Sequence, residues 1–183
     1  MSIVIVAIVL LFIKQKDNFS QTKNDNPPYV SDSLVAYKSF FDLNLTYSGQ
    51  KIDDITCFFD DSEILLSQLI KDKPVLILMY SNNNCSACLE DLLNRIYGNV
   101  NKMLILCSDI SEKEFELLTR DMNIKYPIYI VDDTNFGWAP DTSNQPYMFV
   151  INKNLTISDL FIPDNRFQNV TTKYLDAIDS KIR

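Results

Sequence analysis

Two unbroken apolar runs, Val75 to Tyr80 (VLILMY) and Met103 to Cys107 (MLILC), constrain this chain more than any other feature. A strand with one face in water alternates apolar and polar residues. A strand without alternation is covered on both faces, as strands inside a parallel sheet are. Between the runs, Leu89, Leu92, Leu93 and Ile96 fall at i, i+3, i+4 and i+7, the stripe of a helix with one apolar side. Strand, helix and strand in this order predict a parallel pair inside a sheet flanked by helices.

The rest of the chain extends that unit. Ser111 with Glu114 is a capping-box pattern opening a helix to about Met122, and Ile128 to Val131 is a further short strand. Tyr147 to Ile151 and Leu155 to Ile162, joined by Asn152-Lys153-Asn154, predict an antiparallel hairpin. A last amphipathic helix, about Phe167 to Ile182, carries Val170, Tyr174, Ile178 and Ile182 on successive turns. Ahead of the first run, Ser31 to Phe41 predicts a short helix capped by Ser31 or Asp32. Ile52 to Phe59 predicts an edge strand ending in an Asp60-Asp61 turn, and Leu65 to Ile70 a helical turn.

With 183 residues, 46% of them hydrophobic, the chain fits one domain with appendages. Seventeen Lys and Arg against 24 Asp and Glu leave a net charge of -7, which works against a phosphate-binding, nucleic-acid surface. The three Gly are too far apart to write GxGxxG or GxxxxGK[ST]. The absence of His removes Ser-His-Asp and Cys-His dyads, imidazole bases and His-containing metal sites, so chemistry falls to carboxylates, hydroxyls, amines or thiols.

Ile3 to Ile13 (IVIVAIVLLFI) is apolar throughout, with Lys14 and Lys16 after it. As a helix it reaches roughly 16 Å, about half of a ~30 Å hydrocarbon core, a length that suits a signal or anchor segment better than a full span. Residues 14–33 are rich in Lys, Asn, Asp, Ser and Pro and read as a polar linker. The expected organisation is an anchor or signal over 1–13, the linker over 14–33, and one folded domain over 34–183.

Cys85-Ser86-Ala87-Cys88 falls where the first apolar strand gives way to the helix. Two thiols three residues apart in a first helical turn can reach disulfide geometry, and the free N–H groups and positive dipole end there stabilise a thiolate. Cys85 is the expected nucleophile and Cys88 the resolving thiol, a pairing that needs neither metal nor cofactor. A structural zinc site would have to enlist Cys57 and Cys107, which form no second CxxC. A structural disulfide is the other reading, although so short a loop constrains the unfolded chain little. Cys57 and Cys107 are expected to fill the core. Glu90 and Asp91 read as solvated acids of the first turn, and Trp138 as core or groove lining.

The segment KPVLILMYSNNNCSACLEDLL, with Gln145-Pro146 ahead of YMFVINKN, resembles the thioredoxin-fold redoxins, in particular the TlpA-like, membrane-tethered thiol–disulfide oxidoreductases of bacteria. The resemblance runs from about Ile52 to the end. It implies an α/β, thioredoxin-like fold with a central mixed sheet flanked by helices. It implies a domain on the periplasmic or other extracytoplasmic side, protein thiols and disulfides as partners, and a membrane donor that recharges the pair. In that family a cis proline opens the antiparallel strand and the adjacent backbone binds the substrate chain, which assigns Gln145 and Pro146 to substrate binding and implies a cis Pro146. The sequence departs from the family pattern at Asn84, where Trp is common, and in lacking an acidic residue on the strand behind the thiols. Two other functions share the fold: a non-catalytic binding module, and a thiol peroxidase, which usually carries Pro-x-x-x-Thr-x-x-Cys where this chain has Tyr80, Ser81 and three Asn before Cys85.

Overall fold

Helix α1 spans Tyr29–Tyr47 and outruns the helix expected over Ser31 to Phe41. Its later turns are tied to the domain: Phe40 and Leu43 are buried, and Asn44, also buried, donates to the carbonyls of Phe40 and Leu160 and accepts from the Leu160 N–H. Such long-range bonds hold a helix past the point where local pattern would stop it. Gly49, at φ 91°, turns the chain away and bonds its N–H to the Ile157 carbonyl. The computed structural model describes residues 29–60, 62–132, 136, 138–142 and 145–183. The expected anchor at 1–13 and most of the linker lie outside them. The chain divides into units Met1–Val35 and Ala36–Arg183, and the second carries the sheet and the helices that flank it.

Seven strands form one mixed sheet: β1 (Thr56–Phe59), β2 (Ser62–Leu65), β3 (Val75–Ser81), β4 (Met103–Ser108), β5 (Ile128–Val131), β6 (Tyr147–Ile151) and β7 (Ile157–Phe161), in the order β2-β1-β5-β4-β3-β6-β7. Strands β3, β4 and β5 are parallel neighbours, as the apolar runs predict, and β6 joins β3 antiparallel with Tyr147 opposite Met79. One expectation is corrected. The strand at Thr56–Phe59 is not at the edge, because Ser62–Leu65 folds back on it through a turn with Asp60 at φ 51° and takes the edge position itself. SEIL has too little alternation to announce a strand, and only its pairing makes it one.

The remaining helices are α2 (Leu66–Leu69), α3 (Ser86–Ile96), α4 (Glu112–Asp121) and α5 (Gln168–Ile182). Ser111 and Glu114 form the expected capping box at the start of α4. One core cluster gathers Ile77, Met79, Leu104, Leu106, Phe149 and Ile151 from one face of the sheet with Leu43, Leu66 and Trp138. Strand alternation sends Leu76, Leu78, Tyr80, Ile105 and Cys107 to the other face, where they are buried as well. That face belongs with α5, which lies beside β3, and with the buried stripe Leu89, Leu92, Leu93 and Ile96 of α3. Trimming any of these leucines to Ala costs about 2–5 kcal/mol. The mixed sheet with its flanking helices is the thioredoxin-like α/β fold.

Candidate functional site: the thiol pair at the start of helix α3

The buried strand β3 delivers the chain to the surface, and Asn82 to Asn84 turn it into α3. Asn84 holds the turn from both sides: its side-chain oxygen accepts from the Ser81 N–H at 2.8 Å, and its own N–H bonds the Ser81 carbonyl at 2.8 Å. Asn82 reaches across to α4, donating to the Glu114 carboxylate at 3.0 Å, while Glu114 also accepts from the Ser111 N–H at 3.0 Å. The capping box of one helix is thereby linked to the loop that starts another.

Cys85 is the N-cap of α3, a place usually taken by Ser, Thr, Asn or Asp. Its sulfur accepts the Cys88 N–H at 3.3 Å, and its carbonyl accepts the Leu89 N–H at 3.1 Å. Cys85 is exposed and Cys88 half-buried behind it. The two thiols differ electrostatically. The Cys88 side chain, then the N–H groups of Cys88 and Ala87, donate to the Cys85 sulfur and hold that thiol below its ordinary range. Cys88 moves the opposite way, because its thiol proton is engaged by Cys85 and because burial and the charges of Cys85 and Asp91 oppose a second thiolate. The exposed sulfur is thus the one prepared to carry charge. Asp91 is bound by Arg95 at 2.9 Å and Glu90 is exposed.

The antiparallel pairing of β6 with β3 brings the start of β6 to the end of β3. Gln145 and Pro146, the expected substrate-binding pair, therefore sit at the sheet end from which the thiol loop leaves, Gln145 exposed and Pro146 buried. The expected cis proline is not found. No cis peptide bond occurs among the described residues, so Pro146 takes the trans form, the more stable one for an isolated X-Pro bond by about 0.5–1 kcal/mol. Asp141, a residue the sequence did not single out, supports this region: its carboxylate accepts the Trp138 N–H at 3.0 Å and the Tyr147 hydroxyl at 2.6 Å. Trp138 is core, stacked on Phe136 at 4.6 Å and edge-on to Phe149 at 5.3 Å.

Cys57 and Cys107 are fully buried, and burial pushes each thiol up to about 12, aided at Cys57 by the charge of Asp54. They face opposite sides of the sheet, since Cys57 shares the cluster of Val131 whereas Cys107 pairs with Ile130. The zinc arrangement that needed both of them with the CxxC is therefore not assembled. Among the described residues no group of three or more His, Cys, Asp or Glu is placed to hold a metal ion. No described helix is long and apolar enough to cross a membrane.

No family model matches the chain, and no curated protein matches it in sequence. Solved structures do match. The solution structure of a provisionally named protein disulfide isomerase from Bacteroides thetaiotaomicron superposes with a TM-score of 0.56 at 14% identity, over 74% of this chain and 89% of that one. The crystal structure of a provisionally named electron transfer protein from Aquifex aeolicus gives 0.50 at 15% identity, over 71% of this chain and 95% of that one. At these identities the likeness is one of fold.

Proposed function

We propose that the chain is a thiol–disulfide oxidoreductase that exchanges protein disulfides through Cys85 and Cys88. The observation that carries the reading is the asymmetry of the pair: an exposed N-cap sulfur held towards the thiolate, with a protonated, half-buried partner three residues on. In the reducing direction the Cys85 thiolate attacks a substrate disulfide, forming a mixed disulfide and expelling one substrate thiolate, which takes up a proton. Cys88 then loses its proton, attacks the Cys85 sulfur and expels the second substrate thiolate. Two electrons have passed to the substrate and a Cys85–Cys88 disulfide remains, to be reduced by a dithiol donor. The reverse sequence oxidises a substrate dithiol. Gln145 and Pro146 offer backbone beside the thiols for an extended substrate segment. The apolar run near the amino terminus would tether the domain to a membrane on its extracytoplasmic side.

Insulin reduction tests this directly. Wild type should turn over with a dithiol donor, and Cys85→Ser should lose activity while Cys88→Ser accumulates mixed disulfide. A Cys85→Ser variant as active as wild type would sink the reading. A midpoint potential for the pair between roughly -120 and -270 mV, the range of exchange enzymes, is expected; a value outside it points to a binding module that does not cycle.

A further inference from the structure

Beneath the thiol loop lies a polar group with no part in the exchange cycle. Tyr80 is the last fully buried residue of β3, 4% exposed. It stands five positions before Cys85 and directly opposite Cys107 in the β3–β4 register. Its side chain is on the face away from Ile77 and Met79. Among the described residues its hydroxyl has no hydrogen-bond partner. The other well-buried phenols do have one: Tyr147 donates to Asp141 and Tyr174 to the Asp159 carbonyl. A buried hydroxyl without a partner carries the full cost of its lost hydration, so its presence calls for a reason.

The surroundings of the phenol supply that reason. Burial, then repulsion from any charge on Cys107 of β4, Cys85 at the start of α3 and Glu114 of α4, pushes its ionisation up, so the hydroxyl keeps its proton and can donate it. Glu114 is committed to Ser111 and Asn82, and the Cys107 thiol is raised to about 12 and stays neutral. Cys85 is the one neighbour of the three whose sulfur gains negative charge during exchange. Its present donors are Cys88 and the N–H groups of Ala87 and Cys88, and Asp91 bears on Cys88 alone.

We propose that Tyr80 belongs to the thiol centre, its buried hydroxyl being the hydrogen-bond donor that turns to the Cys85 sulfur when that sulfur carries negative charge. The role rests on the exchange reading for its purpose but not for its measurement. Cys85 carries negative charge as the attacking thiolate, and again when reduction of the Cys85–Cys88 disulfide by the dithiol donor expels it. A donor from the strand below adds to those from Cys88 and the backbone without exposing the sulfur to more water.

The test is the pH profile of Cys85 alkylation by iodoacetamide in the full chain, wild type against Tyr80→Phe, which keeps the ring and removes only the hydroxyl. In the variant the profile should move to higher pH, so that alkylation at a fixed pH below the midpoint is about three- to tenfold slower, the rate equivalent of one ordinary hydrogen bond, while the high-pH plateau does not fall. Cys107→Ala, which disturbs packing at the cross-strand neighbour of Tyr80, should leave the profile in place. A Tyr80→Phe profile superimposed on wild type overturns the proposal, and so does a Cys107→Ala shift of equal size. If wild type fails to reduce insulin yet the Tyr80→Phe profile moves, the exchange reading falls and the role of Tyr80 stands. If wild type is active and the profile does not move, the exchange reading stands and the role of Tyr80 falls.

Discussion

Cys85 and Cys107 are separated by no more than a strand end and a loop, yet their chemistry should differ completely. Cys85 is exposed and collects donors; Cys107, like Cys57, is sealed in apolar surroundings that push its thiol to about 12. A thiol count with a chromogenic disulfide reagent should therefore titrate Cys85 rapidly and Cys88 more slowly in the native protein, with Cys57 and Cys107 reacting only after denaturant is added. Four equally reactive thiols would contradict the burial of the latter two. At this scale the sequence displayed the pair clearly, because CxxC at a strand-to-helix junction is a local pattern. Tyr80 was invisible as a chemical group, since a tyrosine in an apolar run reads as one more core residue until the strand register places it against thiols. Asp141 was equally silent: its partners, Trp138 and Tyr147, are chosen by the path of the loop and not by spacing.

The helices and strands owe their bounds to a mixture of local and distant partners, and the two kinds give different predictions. The capping box of α4 is local. Ser111→Ala should destabilise the protein by about 1 kcal/mol in chemical denaturation. It should also loosen the Asn82 loop, because Glu114 loses the partner that orients it. Asn44 is distant in its reach, binding both backbone groups of Leu160 from α1. Asn44→Ala strands a buried N–H and carbonyl and should cost about 1–3 kcal/mol, with the carboxyl-terminal part of α1 exchanging amide hydrogens faster. A loss below about half a kcal/mol would show that water satisfies those groups instead. The same contrast explains what the sequence could say of the elements. The Ser111-Glu114 box and the α3 stripe were legible because their partners lie within one turn or two. The true length of α1 and the existence of β2 were not, because each depends on residues that folding brings from elsewhere: Leu160 for the first, Thr56 to Phe59 for the second.

For the molecule as a whole, ionisable groups bound the pH range of stability on both sides. Glu114 is held below its usual range by Ser111 and Asn82, and Asp164 by Arg166; at Asp179, burial works the other way and is outweighed by bonds from Asn101 and Arg183. Depressed carboxyls stabilise the fold above their unfolded values, near 4, and that contribution is lost as pH falls through the folded ones. Raised thiols act in reverse. Cys57 and Cys107 leave the fold fully stabilised below the unfolded value of about 9, and their contribution drains away as pH climbs towards about 12. Melting temperature plotted against pH should show a plateau with an acid shoulder that Glu114→Gln reduces and an alkaline fall that Cys57→Ala with Cys107→Ala reduces. The topology itself was partly legible: the parallel β3–β4–β5 core follows from two apolar runs and their helices, and the hairpin from its turn. That β6 would lie on the other side of β3 was not legible, because pairing across some 70 residues leaves no local trace.

The placement of Cys57 and Cys107 on opposite faces of the sheet carries a consequence for how the chain must reach its native state. Four cysteines can pair completely in three ways. The finished sheet tolerates none of the three in full, since Cys57 and Cys107 point apart and neither can meet the surface pair without opening the core. An oxidant that arrives before the strands have closed meets four equivalent thiols and can lock in a cross-link that the sheet forbids. One that arrives afterwards finds a single permitted bond. Refolding from denaturant should accordingly give more native protein when the oxidant is added late than when it is present from the start. The order of two events, closure and oxidation, then decides whether the chain reaches its native sheet or is trapped by a cross-link.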